Sequence, residues 1–374
     1  MLLDFRTNMV QEANIKLDIK IPKDPVSKAM GTFYNPKMLS HRNITINAIK
    51  SFTQIKNKPI KIGLPLAGSG IRALRILNEI STENISEIAV NDIRENFIED
   101  FQKSIKTNKL NSKKVSTHNQ DANLFLLNNL GFDYIDLDPF GSPNQFLAAV
   151  VARINRKGII AITATDTAAL AGTYPKACKR KYWASPLKNH LMHELGLRIL
   201  IRKVQLQGVQ FGKALTPILS YHKDHYYRIF FQSSSGKEKC NNIQTQHQYF
   251  LYNPKTLESK ISKINYWEAK SNKEFQVAGP LWTGPLHDKT FIKTIIKKND
   301  FNSEVKLLRS LQTEAENPNI IGFIDSHILA KKYKIKVPTN ELLLNIKGTW
   351  RTQFSETAIK TKLQPVELIK KLKT

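Results

Sequence analysis

The chain is poor in sulfur: Cys178 and Cys240 are its two cysteines in 374 residues. That is too few for a disulfide framework or for a zinc site built on paired thiolates. It has no apolar run of roughly 18 residues or more, so no stretch reads as a membrane-spanning helix. Met1-Leu2-Leu3-Asp4-Phe5-Arg6 lacks the basic-then-apolar build of a secretory leader. A cytoplasmic protein without zinc is the expectation. Acidic residues are scarce as well, with 31 Asp+Glu against 57 Lys+Arg, a net charge of +26. Charge of that size repels itself in a compact fold and points to a polyanionic partner, nucleic acid first. A lysine-rich composition spread over all surfaces would give the same total. Basic residues occur in every segment, so charge alone does not locate a binding face.

What is present fits a globular protein, with 41% hydrophobic and 24% charged residues and length enough for two cores. Ile60 to Leu66 reads as a strand, Ala67-Gly68-Ser69-Gly70-Ile71-Arg72 as a Gly-rich turn, and a helix follows to about Ile80. Strand, Gly-rich turn and helix form the first unit of a nucleotide-binding α/β sheet. The next strand, Ile88 to Asn91, ends at Asp92, 22 residues beyond Gly70, where a carboxylate can accept ribose hydroxyls. A helix from Glu95 to Lys109 and an extended Val115 to Asn119 lead to Asp121-Ala122-Asn123. Asp121 reads as the N-cap of the helix that follows, as a partner for an adenine amino group, or as both. Ala73 stands where a dinucleotide site wants a third glycine, and a Walker A lysine is absent. Both features favour S-adenosylmethionine, which carries no phosphate, over a dinucleotide.

Phe132 to Leu137 is the fourth strand of this series, and Asp138-Pro139-Phe140-Gly141 breaks it. Asp138 therefore stands at a strand's carboxyl end, where open α/β sheets hold their ligands. The carboxylate, the fixed Pro139 carbonyl and the Phe140 ring together suit a planar base bearing an exocyclic amine. The plain alternative is a β-turn opened by an aspartate. Phe33, in Gly31-Thr32-Phe33-Tyr34-Asn35-Pro36, is either a packing residue or a second stacking wall. Further strands at Ile159 to Thr165, Leu215 to Tyr221 and Tyr226 to Gln232, with helices at Gln145 to Asn155 and Leu187 to Gln205, complete a doubly wound pattern ended by a hairpin.

From Ser233 the character changes. Ser233-Ser234-Ser235-Gly236 reads as a linker, Lys237 to Lys273 as polar and irregular, and Ala278 to Asp288 as a rigid Pro/Gly-shaped segment. Helical patterns follow at 290–298, 304–316, 320–333 and 340–346. Asp325 to Ile346, broken at Val337-Pro338, reads either as a helix-turn-helix or as amphipathic helices packing a small core. The expected fold is a Rossmann-like α/β sheet over 1–265 with a smaller, mostly helical, basic domain over 266–374. His190-x-x-His193 and His222-x-x-His225 have spacings that could hold a metal, but neither is a zincin motif, and packing or phosphate-adjacent residues are the expectation.

Segments spanning most of the chain resemble one family, the tRNA guanine-N2 dimethyltransferases acting at tRNA position 26. They are Phe33-Tyr34-Asn35-Pro36, Gly68-Ser69-Gly70-Ile71-Arg72, Asn91-Asp92-Ile93, Asp121-Ala122-Asn123 and Asp136 to Pro143. Ala164 to Ala168, Pro175 to Cys178, His193 to Leu200, Ala278 to Asp288, Arg351 to Ser355 and Ala358 to Thr361 continue the series. The resemblance implies a class I methyltransferase sheet, S-adenosylmethionine held by Arg42, Arg72, Asp92, Asp121 and Ala122, and chemistry at Asp138. It implies that Phe33 and Phe140 sandwich the guanine and that tRNA is the partner; a monomer free of membrane is the expectation. The chain departs from the family in lacking the paired Cys-x-x-Cys ligands, in Gln353 where His is common, and in Arg42-Asn43 where Arg-Asp is common. The alternatives are a methyltransferase aimed at another RNA base and a non-catalytic RNA-binding protein on the same scaffold. The presence of Asp92 and Asp138 argues against the last.

Overall fold

A computed structural model describes residues 6–21, 34–264, 274–318 and 320–373. The chain divides into two compact units, Met1–Thr163 with Thr294–Val305, and Ala164–Lys293 with Lys306–Thr374.

The first unit opens with an antiparallel hairpin, β1 (Arg6–Glu12) and β2 (Ile15–Ile21). Its alternation buries Ile15 and Leu17 and, opposite Ile15 in the pairing, Glu12. Helix α1 (Leu39–Lys56) follows, longer at both ends than its apolar core suggests. Then strands and helices alternate: β3 (Ile60–Leu64), α2 (Ile71–Glu79), β4 (Ile85–Asn91), α3 (Phe97–Thr107), β5 (Val115–His118), α4 (Ala122–Asn128), β6 (Phe132–Leu137), α5 (Leu147–Arg153) and β7 (Ile154–Ala164). These five parallel strands, β3 to β7, run in the order β5-β4-β3-β6-β7. The order reverses between β3 and β6, and ligands of open α/β sheets bind outside the carboxyl ends at such a switch point. That crevice is bounded by the loop after β3 and by Asp138 at the end of β6.

β6 is buried at all six positions, as a central parallel strand covered on both faces must be. Its two carboxylates are satisfied locally. Asp133 pairs with Lys56 and accepts from Asn155 at 2.9 Å, and Asp136 accepts the Tyr134 hydroxyl at 2.9 Å. Burial raises the Asp133 carboxyl, but the Lys56 and Asn155 hydrogen bonds outweigh it and leave it below the usual carboxylate range.

The second unit holds α6 (Thr167–Leu170), α7 (Pro175–Tyr182), α8 (Met192–Gln210) and the antiparallel hairpin β8 (Lys213–Lys223) and β9 (Tyr226–Ser235). Ser233–Ser235, expected as a linker, is instead the end of β9, paired with Leu215, Ala214 and Lys213. Serine tolerates an in-register strand when its partner strand is long enough to reach it. The expected irregular stretch after Lys237 is also ordered, up to residue 264. It forms α9 (Lys237–Thr245), β10 (His247–Tyr252) and β11 (Ser259–Ser262), and β12 (Gln276–Trp282) completes a sheet ordered β11-β10-β12. Residues 265–273 of that stretch lie outside the described residues.

Helices α10 (Lys289–Lys297) and α11 (Val305–Glu316) lead to β13 (Ile324–Asp325), α12 (Ser326–Tyr333), α13 (Asn340–Leu344), β14 (Thr349–Arg351), β15 (Ala358–Thr361) and α14 (Pro365–Lys373). Leu329 of α12 and Leu343 of α13 share one small core with Ile359, Leu368 and Ile369. Of the two readings of 325–346, packing of amphipathic helices is the one these contacts carry. Among the described residues no helix is long and apolar enough to cross a membrane.

Candidate active site

The loop from β3 to α2 is shaped by its glycines. Gly68 and Gly70 have φ of 59° and 76°, and a Cβ at Gly70 would run into the Phe101 ring. The Gly68 N–H donates to Asp92 Oδ2 at 2.7 Å, while Asp92 Oδ1 accepts the Arg94 N–H at 3.1 Å. The expected cofactor carboxylate is thereby fixed by backbone on both oxygens, each of which retains lone-pair capacity.

Asn91, fully buried at the end of β4, ties three strand ends together. Its Nδ2 donates to the carbonyls of Pro65 at 3.0 Å and Gln120 at 2.9 Å, and its Oδ1 accepts the Gln120 N–H at 3.1 Å. Through Gln120 it sets the next residue, Asp121, whose Oδ1 accepts the N–H groups of Asn123 and Leu124 at 2.8 and 3.2 Å and so caps α4. Ala122, buried, is the first residue of that helix. Ile93, 71% exposed, presents an apolar side chain directly after Asp92.

Asp138 is ion-paired with Arg72 Nη2. The other guanidinium nitrogen, Nη1, lies 3.1 Å from Thr45 Oγ1, 3.2 Å from His41 Nδ1 and 3.5 Å from Asp136. A guanidinium only donates, so His41 Nδ1 accepts and the ring proton sits on Nε2. That nitrogen faces Thr163 Oγ1 at 2.8 Å and lies 3.9 Å from Asp138 Oδ1. The Asp138 carboxylate is thus paired with the part-buried Arg72, with the buried His41 ring, itself bonded to Thr163, close by. Pro139 is buried beside it, and Phe140 stands 40% exposed.

Arg42 belongs to a separate cluster. Its guanidinium grips Glu12 of β1, with Nε at 2.7 Å from Oε1, and donates to the Asn35 carbonyl at 3.1 Å. Glu12 also accepts from Arg75 at 3.1 Å and from the Tyr34 hydroxyl at 2.9 Å. Burial raises the Glu12 carboxyl, yet Arg42, Arg75 and Tyr34 together bring it below its ordinary value. Burial and then the Glu12 charge push Tyr34 up to about 12. Phe33, expected as a stacking wall, lies outside the described residues; Tyr34, next to it, is anchored to Glu12.

The structure therefore brings Arg72 onto Asp138, sets Asp92 against the Gly loop, and links Asp121 and Ala122 to Asp92's strand through Asn91. Sequence reasoning gave no role to Glu12, His41, Asn91, Ile93 or Thr163. Asn91 and Ile93 lie inside a motif that was legible and His41 stands next to Arg42, whereas nothing local marks Glu12. In the second unit His193 stacks on His222 with ring centroids 3.9 Å apart. Burial, then His193 and His225, bring the His222 imidazole down to about 3.

A family model described as N2,N2-dimethylguanosine tRNA methyltransferase matches residues 7–373. Among curated proteins, the tRNA (guanine(26)-N(2)/guanine(27)-N(2))-dimethyltransferase of Aquifex aeolicus is 35% identical, over 97% of this chain and 95% of that protein. The tRNA (guanine(26)-N(2))-dimethyltransferase of Methanosphaera stadtmanae is 32% identical over 98% and 96%. Among solved structures, Trm1 from Pyrococcus horikoshii in complex with S-adenosyl-L-methionine superposes with a TM-score of 0.83 at 29% identity, covering 97% of this chain and 99% of that one.

Proposed function

The chain belongs to the N2,N2-dimethylguanosine tRNA methyltransferase family, and from that premise we propose how its residues divide the work. It is an S-adenosylmethionine-dependent enzyme that methylates the exocyclic N2 of guanine 26 in tRNA, giving N2-methylguanosine and N2,N2-dimethylguanosine.

The strand-end residues fit the cofactor. Carboxylates at Asp92 and Asp121 would repel phosphates but suit hydroxyl and amino donors, and Ile93 offers an apolar face for an adenine ring. Asp92 would take the ribose hydroxyls, Asp121 and Ala122 the adenine, and Arg42 and Arg72 the methionine end. When bound, S-adenosylmethionine supplies an electrophilic methyl group on a sulfonium. Guanine N2 is a weak nucleophile because its lone pair is delocalised into the ring. Asp138 and the Pro139 carbonyl would accept the two N2 hydrogens, favouring a geometry in which that lone pair turns out of conjugation. Transfer of the methyl to N2 would break its bond to sulfur and leave a neutral thioether, and the cationic N2 would pass a proton to the Asp138 carboxylate and from there to water. Arg72 and His41 hold that carboxylate in one orientation throughout. Extruding a stacked base costs a few kcal/mol, about what stacking on Phe140 and Phe33 offsets.

The basic 266–374 region is assigned to tRNA binding, and the protein acts as a cytoplasmic monomer. The observation that carries the catalytic reading is Asp138 at the end of β6, beside the switch point of the sheet and braced by Arg72. Mass spectrometry of nucleosides from an unmodified tRNA treated with enzyme tests it. Wild type should yield both methylated guanosines at position 26, and Asp138→Ala should lose at least ~10³-fold in rate while keeping tRNA affinity. Wild-type rates in that variant would remove Asp138 from the chemistry.

A further inference from the structure

Basic residues occur along the whole chain, but acidic ones do not. Between Asp166 and Asp224 there are ten Lys and Arg against one carboxylate, Glu194. Glu194 is fully buried and engaged by Arg198 and Lys360. The exposed positive charge of this stretch therefore has almost no negative charge of its own to answer it.

Helix α7 concentrates that charge. Lys176, Lys179 and Arg180 are exposed and stand at i, i+3 and i+4, on one face. Cys178 and Tyr182, themselves i and i+4, are buried on the opposite face. Lys181, at the side, meets Asp166 at 3.1 Å. Like charges at these spacings weaken a helix in isolation, so the arrangement is adverse unless an anion shares it.

Two aromatic rings bracket the same helix, Tyr174 at 62% and Trp183 at 54% exposure. Trp183 has φ of 54°, a left-handed conformation that bulky residues seldom adopt. One face of its ring is covered by Lys203 Nζ, 3.1 Å from the ring centroid. Basic side chains on one face, flanked by rings held open to solvent, match the backbone-plus-stacking chemistry of RNA binding.

We infer that the surface from Tyr174 to Trp183, with Lys176, Lys179 and Arg180 at its centre, is a tRNA contact outside the 266–374 region. The inference rests on the proposed function. The three cations would meet phosphates and the two rings would take sugars or unstacked bases.

The test measures tRNA affinity directly by fluorescence anisotropy over a salt series. The triple variant Lys176→Ala, Lys179→Ala, Arg180→Ala should lose ~10-fold or more in affinity and two to three units, roughly, of the log–log salt slope. Its S-adenosylmethionine affinity by calorimetry and its kcat at saturating tRNA should stay at the wild-type level, which also shows that it is folded. Tyr174→Ala and Trp183→Ala should each lose affinity with the slope unchanged. A control variant removes the same charge elsewhere, at the exposed Lys106, Lys109 and Lys113. An equal loss in that control would mean that only total charge counts, and the α7 surface would be discarded. Wild-type affinity and slope in the α7 variant would also overturn it. Absence of guanine methylation by the wild type in the same preparation would strike the functional reading instead, whatever α7 does.

Discussion

Each unit of this chain hides a carboxylate among cations, and the two put the same physics to different use. Glu12, in the first unit, binds Arg42, Arg75 and Tyr34. Glu314, in the second, accepts from Thr352 at 2.6 Å, from the Gln353 backbone at 3.1 Å and from its side chain at 2.8 Å, and faces His287 at 3.2 Å. Both pairings answer the cost of taking charge out of water, which is several kcal/mol per ion without a partner, on the order of. The partners differ. Glu12 grips Arg42, a residue assigned to the cofactor, and Tyr34, next in sequence to the proposed stacking residue Phe33. Glu314 joins α11 to the Thr352-Gln353 turn, and Gln353 goes on to the Ser220 carbonyl at 3.1 Å, all of it scaffold. Buried charge meets a proposed cofactor residue in one place and scaffold in the other.

The largest expected effect is on the scaffold side. Glu314→Ala should destabilise the protein by about 3–5 kcal/mol, because it leaves the buried Thr352, Gln353 and His287 groups without their acceptor; urea unfolding measures it. The pH dependence has a definite sign. Burial pushes the Glu314 carboxyl up, but the Lys360 charge and the His287 hydrogen bond bring it down to about 2 from an ordinary 4.5. Its stabilisation is therefore complete above pH 4.5 and is lost as pH falls toward 2. Wild type should weaken across that interval while Glu314→Gln lacks that loss, and parallel acid limbs would contradict the assignment.

Glu12→Gln should act mainly through function. Releasing Arg42 should raise KM for S-adenosylmethionine about tenfold, some 1.4 kcal/mol, with kcat changed less. A fall in unfolding midpoint with KM unmoved would make Glu12 scaffold like Glu314 and dissolve the contrast. The smallest effect sharpens it from outside. Lys306 and Glu356 form an ion pair with both side chains more than four-fifths exposed. Removing it by Glu356→Gln should leave the unfolding midpoint unchanged, because solvent screens such pairs. A shift like that of Glu314 would mean that pairing, not burial, sets the energetics.

Much of the first unit was legible because its signals are local. β6 runs from Phe132 to Leu137 as the apolar run and its Pro/Gly stop require, and β3, the Gly turn and α2 follow within two residues of expectation. Asp92, Asp121 and Asp138 could be picked out because each follows a strand. The β1–β2 hairpin was passed over although Ile15-Lys16-Leu17-Asp18-Ile19-Lys20-Ile21 alternates strictly. Helix α7 was passed over for a better reason, since its buried face consists of Cys178 and Tyr182 alone. The ordered α9–β10–β11 region was read as irregular because its strands are short and polar, and tertiary pairing, not apolar periodicity, holds them.

What the sequence determined by itself is the strand and helix series from β3 to β7, the family, and the residues at the strand ends, because strand, turn and helix-cap preferences act between near neighbours. What only the tertiary structure decided is partnership. Arg75 lies 63 residues from Glu12, and Arg72 lies 66 from Asp138. No local preference couples residues so far apart. Arg72 meets Asp138 because β3 lies next to β6 in the sheet, Arg75 meets Glu12 because the β1–β2 hairpin packs against α2, and burial makes an unpaired charge too costly to keep.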